Sequence, residues 1–135
     1  MPQTQFMKYY SLKEVNDKDL STVRSRVEAA LKEEGFGVLT EIDIQATMKK
    51  KLDKDYPPHL ILGACNPSFA DQALQKEANI STLLPCNVTI KQNSKGNFEV
   101  AVVNPEASMS SVENEALKPL ASEVKTAMER ALERL

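Results

Sequence analysis

The alternation of apolar and polar residues between residues 86 and 103 constrains the fold of this chain more than any other feature. Apolar side chains occupy every second position on both sides of a short connection, at Cys86, Val88, Ile90, Phe98, Val100 and Val102. A repeat of two is typical of β-strands that bury one face. The connection, residues 93–97, contains Gly96, which can adopt the positive φ that many hairpin turns require. The segment therefore predicts a β-hairpin.

Two other segments repeat their apolar residues at spacings of three and four, which is typical of helices that bury one face. The first follows Asn16-Asp17, which can cap free helix amides, and precedes Gly35, which favours a helix end. The second reaches the C-terminus and contains Pro119 near its start, so a bend or a late start is predicted there. The apolar positions are Leu20, Val23, Val27, Ala30 and Leu31 in the first segment, and Leu117, Leu120, Val124, Ala127, Met128, Ala131, Leu132 and Leu135 in the second.

The remaining segments predict three more strands, over residues 6–12, 36–42 and 59–65. In the second of these, Val38, Thr40 and Ile42 are expected on one face, because successive side chains of a strand point to opposite faces. The predicted helices and strands then follow one another as β-α-β-α-β-α-β-β-α. This order indicates an α+β fold.

Two shorter helices complete the prediction. Asp43 is expected to cap a helix that ends before Tyr56-Pro57-Pro58, because proline removes a donor and restricts the residue before it. Asn66-Pro67 begins another helix, since Asn caps free amides and Pro is tolerated at the first helical position. Residues 1–5 carry no periodic pattern and are expected to form a loose segment before a single domain of residues 6–135.

Composition argues against several classes of partner. The chain has 135 residues, with 17 Lys and Arg against 19 Asp and Glu. The resulting net charge of -2 lacks the basic surface that nucleic-acid binding requires. The longest apolar stretch, Leu60 to Cys65, is far shorter than the roughly 20 residues that cross a bilayer. No secretory signal is recognisable near the N-terminus. We therefore expect a cytoplasmic protein that binds neither membrane nor nucleic acid.

The two cysteines are the candidate reactive groups. Cys65 ends a predicted buried strand directly before the helix at Asn66-Pro67, and the partial positive charge of a helix N-terminus favours a thiolate. Cys86 follows Pro85 at the start of the hairpin. If the two strand ends lie side by side, the thiols could form a reversible pair, whereas a permanent disulfide is disfavoured in the cytoplasm. The alternative for both is a buried, inert thiol.

The single histidine and the charged residues of the second predicted helix support fewer functions. One His and two Cys without metal-binding spacing predict no metal site, and the absence of glycine-rich phosphate loops predicts no nucleotide cofactor. His59 and Cys65 are roughly 20 Å apart along one strand, too far for a base and its nucleophile. Thr47 and Lys51 share a helix face, so they could hold an anion or pair with Glu41.

Several short segments together resemble the domain-of-unknown-function family numbered 302, from about residue 6 to the C-terminus. They are Glu41-Ile42-Asp43, Thr47, Lys49, Lys51-Leu52, Leu62-Gly63-Ala64-Cys65-Asn66-Pro67, Leu83-Leu84-Pro85-Cys86-Asn87-Val88 and Asn104-Pro105-Glu106-Ala107. The resemblance implies a curved, mainly antiparallel sheet of about five strands backed by helices, grouped with TATA-binding-protein-like folds. It also implies a homodimer. The family has no established activity, and DNA binding does not follow from the fold.

Three functions remain open at this point. The first is the binding of a small, possibly acidic ligand in a pocket near the two cysteines. The second is a thiol-based redox or sulfur-handling enzyme in which Cys65 reacts and Cys86 resolves the product. The third is a structural dimer module with inert cysteines. The candidate ligand-binding residues are Glu41, Thr47, Lys51, Cys65, Asn66, Cys86 and Asn87.

Overall fold

The hairpin predicted between residues 86 and 103 lies inside a five-stranded antiparallel sheet. A computed structural model describes residues 9–135 of the protein. Its strands are β1 Tyr10–Val15, β2 Gly37–Asp43, β3 His59–Cys65, β4 Cys86–Gln92 and β5 Phe98–Val103. They lie side by side in the order β1-β5-β4-β3-β2, and every neighbouring pair is antiparallel. The predicted antiparallel sheet is confirmed.

The helices follow the predicted order, with short turns added between them. They are α1 Leu20–Glu33, α2 Ile44–Leu52, α3 Pro67–Lys76, α4 Pro105–Ser108 and α5 Lys118–Glu133, with 3₁₀ turns at Ala78–Leu83 and Glu115–Leu117. The α+β class is therefore confirmed. None of the helices found between residues 9 and 135 combines the length and apolar character that crossing a membrane requires.

The beginning of α1 differs from the sequence prediction. The cap is Asp19, whose carboxylate accepts a hydrogen bond from the Thr22 amide at 3.0 Å, so the predicted cap at Asn16-Asp17 is wrong. Asp17 instead accepts a hydrogen bond from the amide of Asp19 at 2.9 Å, in the turn before the helix. The helix ends as predicted, because Gly35 follows it with a φ of 83°.

The late start predicted for the C-terminal helix is confirmed. The side chain of Asn114 caps the 3₁₀ turn by accepting a hydrogen bond from the Ala116 amide at 3.0 Å. Helix α5 begins only at Lys118, so Pro119 lies in its first turn. An amide there has no partner within the helix, and proline therefore removes no helical hydrogen bond.

One face of the sheet and the apolar stripes of α1 and α5 form the main core. The stripe of α5 is buried at Val124, Ala127, Met128, Ala131 and Leu132. A smaller cluster joins α3, the 3₁₀ turns and the beginning of α5. The buried sheet residues of the main core include Leu60, Leu62, Ala64, Cys86, Val88, Ile90, Phe98, Val100 and Val102. Complete burial of each larger side chain contributes about 1.5–3 kcal/mol to the stability of the fold, and it holds this face of the sheet against the helices.

Strand β2 is an edge strand with an irregularity that the sequence pattern did not predict. Val38 pairs with Ala64, whereas Thr40 pairs with Gly63, so Leu39 is an extra residue in a β-bulge. Because Ala64 and Gly63 are consecutive, Val38 and Thr40 lie on opposite faces of the sheet. The prediction that they share a face with Ile42 is therefore wrong for Val38.

Helix α2 begins where the sequence predicts but ends earlier. The Asp43 carboxylate accepts a hydrogen bond from the Ala46 amide at 2.9 Å, which confirms the predicted cap. The helix ends at Leu52, because Asp53 adopts the left-handed conformation with a φ of 53°. The prolines at positions 57 and 58 therefore follow a short segment that is neither helix nor strand.

The predicted N-terminal elements are only partly within the described residues. Strand β1 runs from Tyr10 to Val15, whereas the sequence predicts a strand over residues 6–12. The two overlap at residues 10–12. The loose segment predicted for residues 1–5, and residues 6–8 of the predicted strand, lie outside the described residues.

Candidate functional site

A cavity of about 320 Å³ lies where β3 ends and β4 begins, and we call it the cysteine cavity. The beginning of α3, the 3₁₀ turn Ala78–Leu83 and the first half of α5 enclose it. Its lining is formed by Phe36, Leu39, Thr40, Ala64, Cys65, Asn66, Phe69, Ala70, Ala73, Ser81, Leu84, Pro85, Cys86, Met109, Leu120, Ala121 and Val124. The cavity therefore lies between the main core and the smaller cluster.

The lining of the cysteine cavity is mostly apolar. Its polar side chains are those of Thr40, Asn66 and Ser81, together with the two thiols. Among residues 9–135, no charged side chain contributes to it. Moving a charged group from water into such surroundings is costly unless a partner compensates for the lost hydration. The cavity therefore suits an uncharged molecule that makes few hydrogen bonds.

The register of β3 and β4 brings the two cysteines to this cavity. Ala64 pairs with Cys86, so Cys65 lies one residue beyond the position opposite Cys86. Both side chains line the cavity, and neither forms a disulfide. Cys86 is buried, whereas Cys65 is half-buried at the end of its strand. The cysteines that are far apart in sequence are thus neighbours on adjacent strands.

Burial makes the Cys86 thiol a weaker acid than an exposed cysteine. Loss of hydration, followed by the electrostatic effect of Cys65, raises the pKa of the Cys86 thiol to about 11. At neutral pH this side chain is therefore a neutral thiol. A neutral thiol is a poor nucleophile, because the thiolate is the reacting form.

Asn66 fixes the end of β3 to two helices. Its Oδ1 atom accepts a hydrogen bond from the Phe69 amide at 3.1 Å, which caps α3. Its Nδ2 atom donates to the Glu34 carbonyl at 3.4 Å and lies where a side chain on Gly35 would overlap it. The Asn66 amide is therefore occupied on both sides, and its described contacts position the cavity wall.

Gly63 lies between two residues that line the cavity, and sequence reasoning missed its role. A Cβ atom at this position would overlap Thr40 Oγ1 and lie 2.7 Å from Pro85 Cγ. Thr40 and Pro85 therefore approach the backbone of β3 so closely that only glycine fits between them. A glycine inside a predicted strand is itself a signal of close approach.

Sequence reasoning also missed the aromatic wall of the cavity. The rings of Phe36 and Phe69 lie 6.2 Å apart between centroids, in a tilted arrangement. Phe69 is in the first turn of α3, and Phe36 precedes β2. The pattern of apolar residues in the sequence gave no sign that these two rings border a cavity.

Three of the seven predicted binding residues lie together, and four lie elsewhere. Cys65, Asn66 and Cys86 line the cysteine cavity. The Glu41 carboxylate accepts a hydrogen bond from Arg24 Nε at 2.8 Å, on the helix-covered side of the sheet edge. Thr47 and Lys51 lie on α2, where Lys51 is exposed. Asn87 lines another cavity.

The fold and the cavity together define a class of small α+β proteins in which helices cover one face of an open antiparallel sheet. The family model described as "Domain of unknown function DUF302" matches residues 12–135. The chain therefore belongs to the DUF302 family, as its cysteine-containing segments indicated.

A solved structure supports this assignment. It is the crystal structure of an uncharacterized conserved protein DUF302 from Bacillus stearothermophilus, to which the chain is similar with a TM-score of 0.86 and 26% identity. The similarity covers 93% of this chain and 96% of that chain. No curated protein matches the sequence. The function must therefore be argued from the site itself.

Proposed function

We propose that this protein binds a small, uncharged and mainly apolar molecule in the cysteine cavity. The observation that carries the proposal is a cavity of about 320 Å³ with a lining that is apolar apart from a few hydroxyl, amide and thiol groups. Ligand sites in proteins are typically concave and mostly apolar, with a few polar groups that orient the ligand. Burial of the apolar surface of the ligand supplies the affinity.

An uncharged ligand replaces the acidic one considered from the sequence. That idea relied on Lys51 as the partner of an acidic group, but Lys51 is exposed on α2 and does not contribute to the cavity lining. Asn66 already caps α3 with its side-chain oxygen, so an anion would have to compete for the same amides. Both facts favour a neutral molecule.

Benzyl alcohol and benzoate test this proposal, since they have similar size but differ in charge. We expect benzyl alcohol to raise the Tm and benzoate to leave it unchanged. A ligand at about 100 times its Kd stabilises the native state by about 2.7 kcal/mol. An equal shift with both compounds would contradict the neutral-ligand proposal, and no shift with either would count against a small aromatic alcohol as the ligand.

A pair of matched variants locates the binding. Ala70→Leu adds apolar volume to the cavity lining, so it should abolish the shift caused by benzyl alcohol. Ala46→Leu makes the same change on the exposed surface of α2 and should leave the shift intact. Loss of the shift in both variants would place the bound molecule elsewhere.

A second candidate function, thiol exchange, is supported by the presence of both cysteines in one cavity. In that function the Cys65 thiolate would attack one sulfur of a substrate disulfide and release the other half as a thiol. Cys86 would then attack the Cys65 sulfur of the mixed disulfide, which releases the second half as a thiol and leaves a disulfide between the two cysteines. The pKa of Cys86, raised to about 11, opposes the second step at neutral pH. Alkylation of Cys86 should therefore accelerate up to about pH 11. A plateau near pH 7 would favour the enzymatic alternative.

We also propose that the protein is a cytoplasmic homodimer whose interface is the sheet face opposite α1 and α5. On this face Tyr10, Leu12, Ala101 and Val103 are half-buried. A cavity of about 370 Å³ on it is lined by Tyr9, Tyr10, Leu12, Asn87, Thr89, Lys91, Ala101, Val102 and Val103. An apolar surface of this kind favours an interface, and two unpaired thiols agree with a reducing compartment.

Light scattering during gel filtration tests the dimer. We expect twice the mass of one chain, and Ala101→Glu should give a monomer because it would bury an unpaired charge in the interface. Leu74→Glu, on the exposed side of α3, is the matched control. A monomeric natural protein would leave the third function, a structural dimer module, without support. Cell fractionation would test the location.

A further inference from the structure

A further cavity, of about 320 Å³, adjoins the cysteine cavity, and we call it the α4 cavity. It lies among α4, the loop of residues 109–114 and the beginning of α5. Its lining residues are Glu106, Met109, Ser110, Val112, Asn114, Leu117, Lys118 and Ala121. Met109 and Ala121 also line the cysteine cavity. These two side chains therefore lie at the boundary between the cavities.

The boundary consists of one flexible and one small side chain. Met109 is partly buried and packs against the smaller core cluster of Ala73, Ile80, Leu117 and Leu120. Its unbranched thioether chain adopts several rotamers at low cost, which allows it to move aside. Ala121 has a single methyl group and no side-chain rotamers. Of the two side chains at the boundary, Met109 is therefore the one that can move.

The two cavities differ in chemistry. The cysteine cavity is mostly apolar, whereas the α4 cavity contains Glu106, Ser110, Asn114 and Lys118. Ser110 Oγ donates a hydrogen bond to the Ala107 carbonyl at 2.7 Å, so its oxygen retains the capacity to accept one. A molecule that reached from one cavity into the other would therefore meet apolar groups at one end and polar groups at the other.

The charges in the α4 cavity are already balanced. Lys118 pairs with Glu115 at 3.0 Å, and Glu106 pairs with Lys125 at 3.5 Å. The lining thus contains one acidic and one basic side chain, each with a partner of opposite charge. A charged head group would be attracted by one of them and repelled by the other, so the arrangement favours an uncharged polar head.

We propose that the two cavities form one site for an amphipathic molecule, with an aliphatic chain in the cysteine cavity and an uncharged polar head in the α4 cavity. Met109 is the movable partition between them. This inference rests on the proposed function and names the class of ligand. Short molecules occupy the cysteine cavity alone, whereas longer ones displace Met109.

Primary alcohols of two lengths, 1-hexanol and 1-decanol, test the partition by titration calorimetry. Met109→Ala removes the partition, so decanol should bind at least fourfold more tightly, which corresponds to one additional buried methylene group. Hexanol occupies the cysteine cavity alone, where Met109→Ala removes part of the lining, so the affinity for hexanol should not rise. Ala121→Leu narrows the passage and should weaken decanol binding relative to hexanol. Met48→Ala, on α2, is the matched control and should leave both affinities unchanged.

The outcomes separate this inference from the proposed function. If hexanol binds but Met109→Ala leaves the ratio of the decanol affinity to the hexanol affinity unchanged, Met109 does not act as a partition. The cysteine cavity alone then remains the site. Failure of both alcohols to bind the natural protein overturns the inference together with its aliphatic ligand class. If Met109→Ala does not fold, Ala121→Leu decides the question. Decanoate binding as tightly as decanol would overturn the uncharged head group.

Discussion

Helices α5 and α2 have similar sequence patterns but different relationships to the core. Helix α5 carries apolar residues at spacings of three and four, and α2 carries Ile44, Met48 and Leu52 at spacings of four. Helix α5 buries its stripe from Leu120 to Leu132, whereas α2 has no buried residue. Helix α5 lies across the sheet and completes the main core. Helix α2 connects the edge strand β2 to β3 and lies at the margin of the sheet. An apolar stripe therefore predicts a helix, but not the depth at which it is buried.

The ends of α2 are fixed locally, which explains how a helix with so little burial is formed. Asp43 caps its first turn, and Lys49 forms ion pairs with Asp53 at 3.0 Å and with Asp55 at 3.3 Å. The apolar side chains of the helix itself remain at least partly exposed, including Leu52 at 59%. Caps and surface pairs each contribute about 0.5–2 kcal/mol or less. The α5 side of the protein should therefore dominate global stability.

The largest expected contrast is between truncations in the two helices. Met128→Ala in α5 removes a side chain with 0% exposure and should destabilise the protein by about 2–5 kcal/mol. Leu52→Ala in α2 should change the free energy of unfolding by no more than about 0.5 kcal/mol. Urea denaturation measures both. A large loss for Leu52→Ala would mean that another surface covers α2 in solution, and the contrast would then fail.

A contrast of intermediate size is expected between substitutions of two glycines. Gly63→Ala, beside the cysteine cavity, places a methyl group against Thr40 and Pro85 and should cost about 1–3 kcal/mol. Gly37→Ala, on the edge strand β2, meets no atom within 4 Å and is the matched control. Thermal unfolding should show a lowered Tm for the first variant alone. Similar values for both would indicate that the wall beside β3 yields to the added group.

The smallest expected effect concerns ion pairs and pH. Hydrogen bonds from Arg134, and then from Arg130, lower the pKa of Glu34 below its ordinary value, and the Glu34 side chain is only 6% exposed. Because the folded pKa is lowered, this stabilisation is complete above the unfolded pKa of about 4.3 and is lost as the pH falls through the folded pKa.

The variant Glu34→Gln tests that effect. The natural protein should be more stable than the variant at neutral pH, and the difference should shrink below about pH 4.3. Urea midpoints across this range measure it. Asp55→Asn, which affects an exposed ion pair of α2, should produce a smaller difference that salt removes. A difference for Glu34→Gln that does not vary with pH would show that its charge is not the cause.

Sequence reasoning was most successful where local chemistry decides structure. The hairpin, β3, the Asn66 cap and the late start of α5 all depend on residues within a few positions of one another. It was less successful for the site. Cys65, Asn66 and Cys86 line one cavity, but Glu41 pairs with Arg24 and Lys51 remains exposed. Those partners depend on how β2 and α2 lie relative to the rest of the sheet.

The bulge at Leu39 shows where an alternating sequence pattern no longer predicts which side chains share a face. An alternating pattern predicts which side chains share a face only while the strand remains regular, and one additional residue reverses the relationship. The cavity itself depends on several elements that are distant in sequence, including α3, α5 and the loop that contains Met109. No local pattern reports a space that packing leaves unfilled.

The amino-acid sequence by itself determined the order of strands and main helices, the caps at Asp43 and Asn66 and the membership of the DUF302 family, because these follow from the periodicity of neighbouring residues and from short motifs. The tertiary structure alone decided that two thiols from different strands face one apolar cavity, that Gly63 admits no side chain and that α2 remains at the surface. The physical reason is that register and packing depend on contacts between distant segments, which compete for the same interior space.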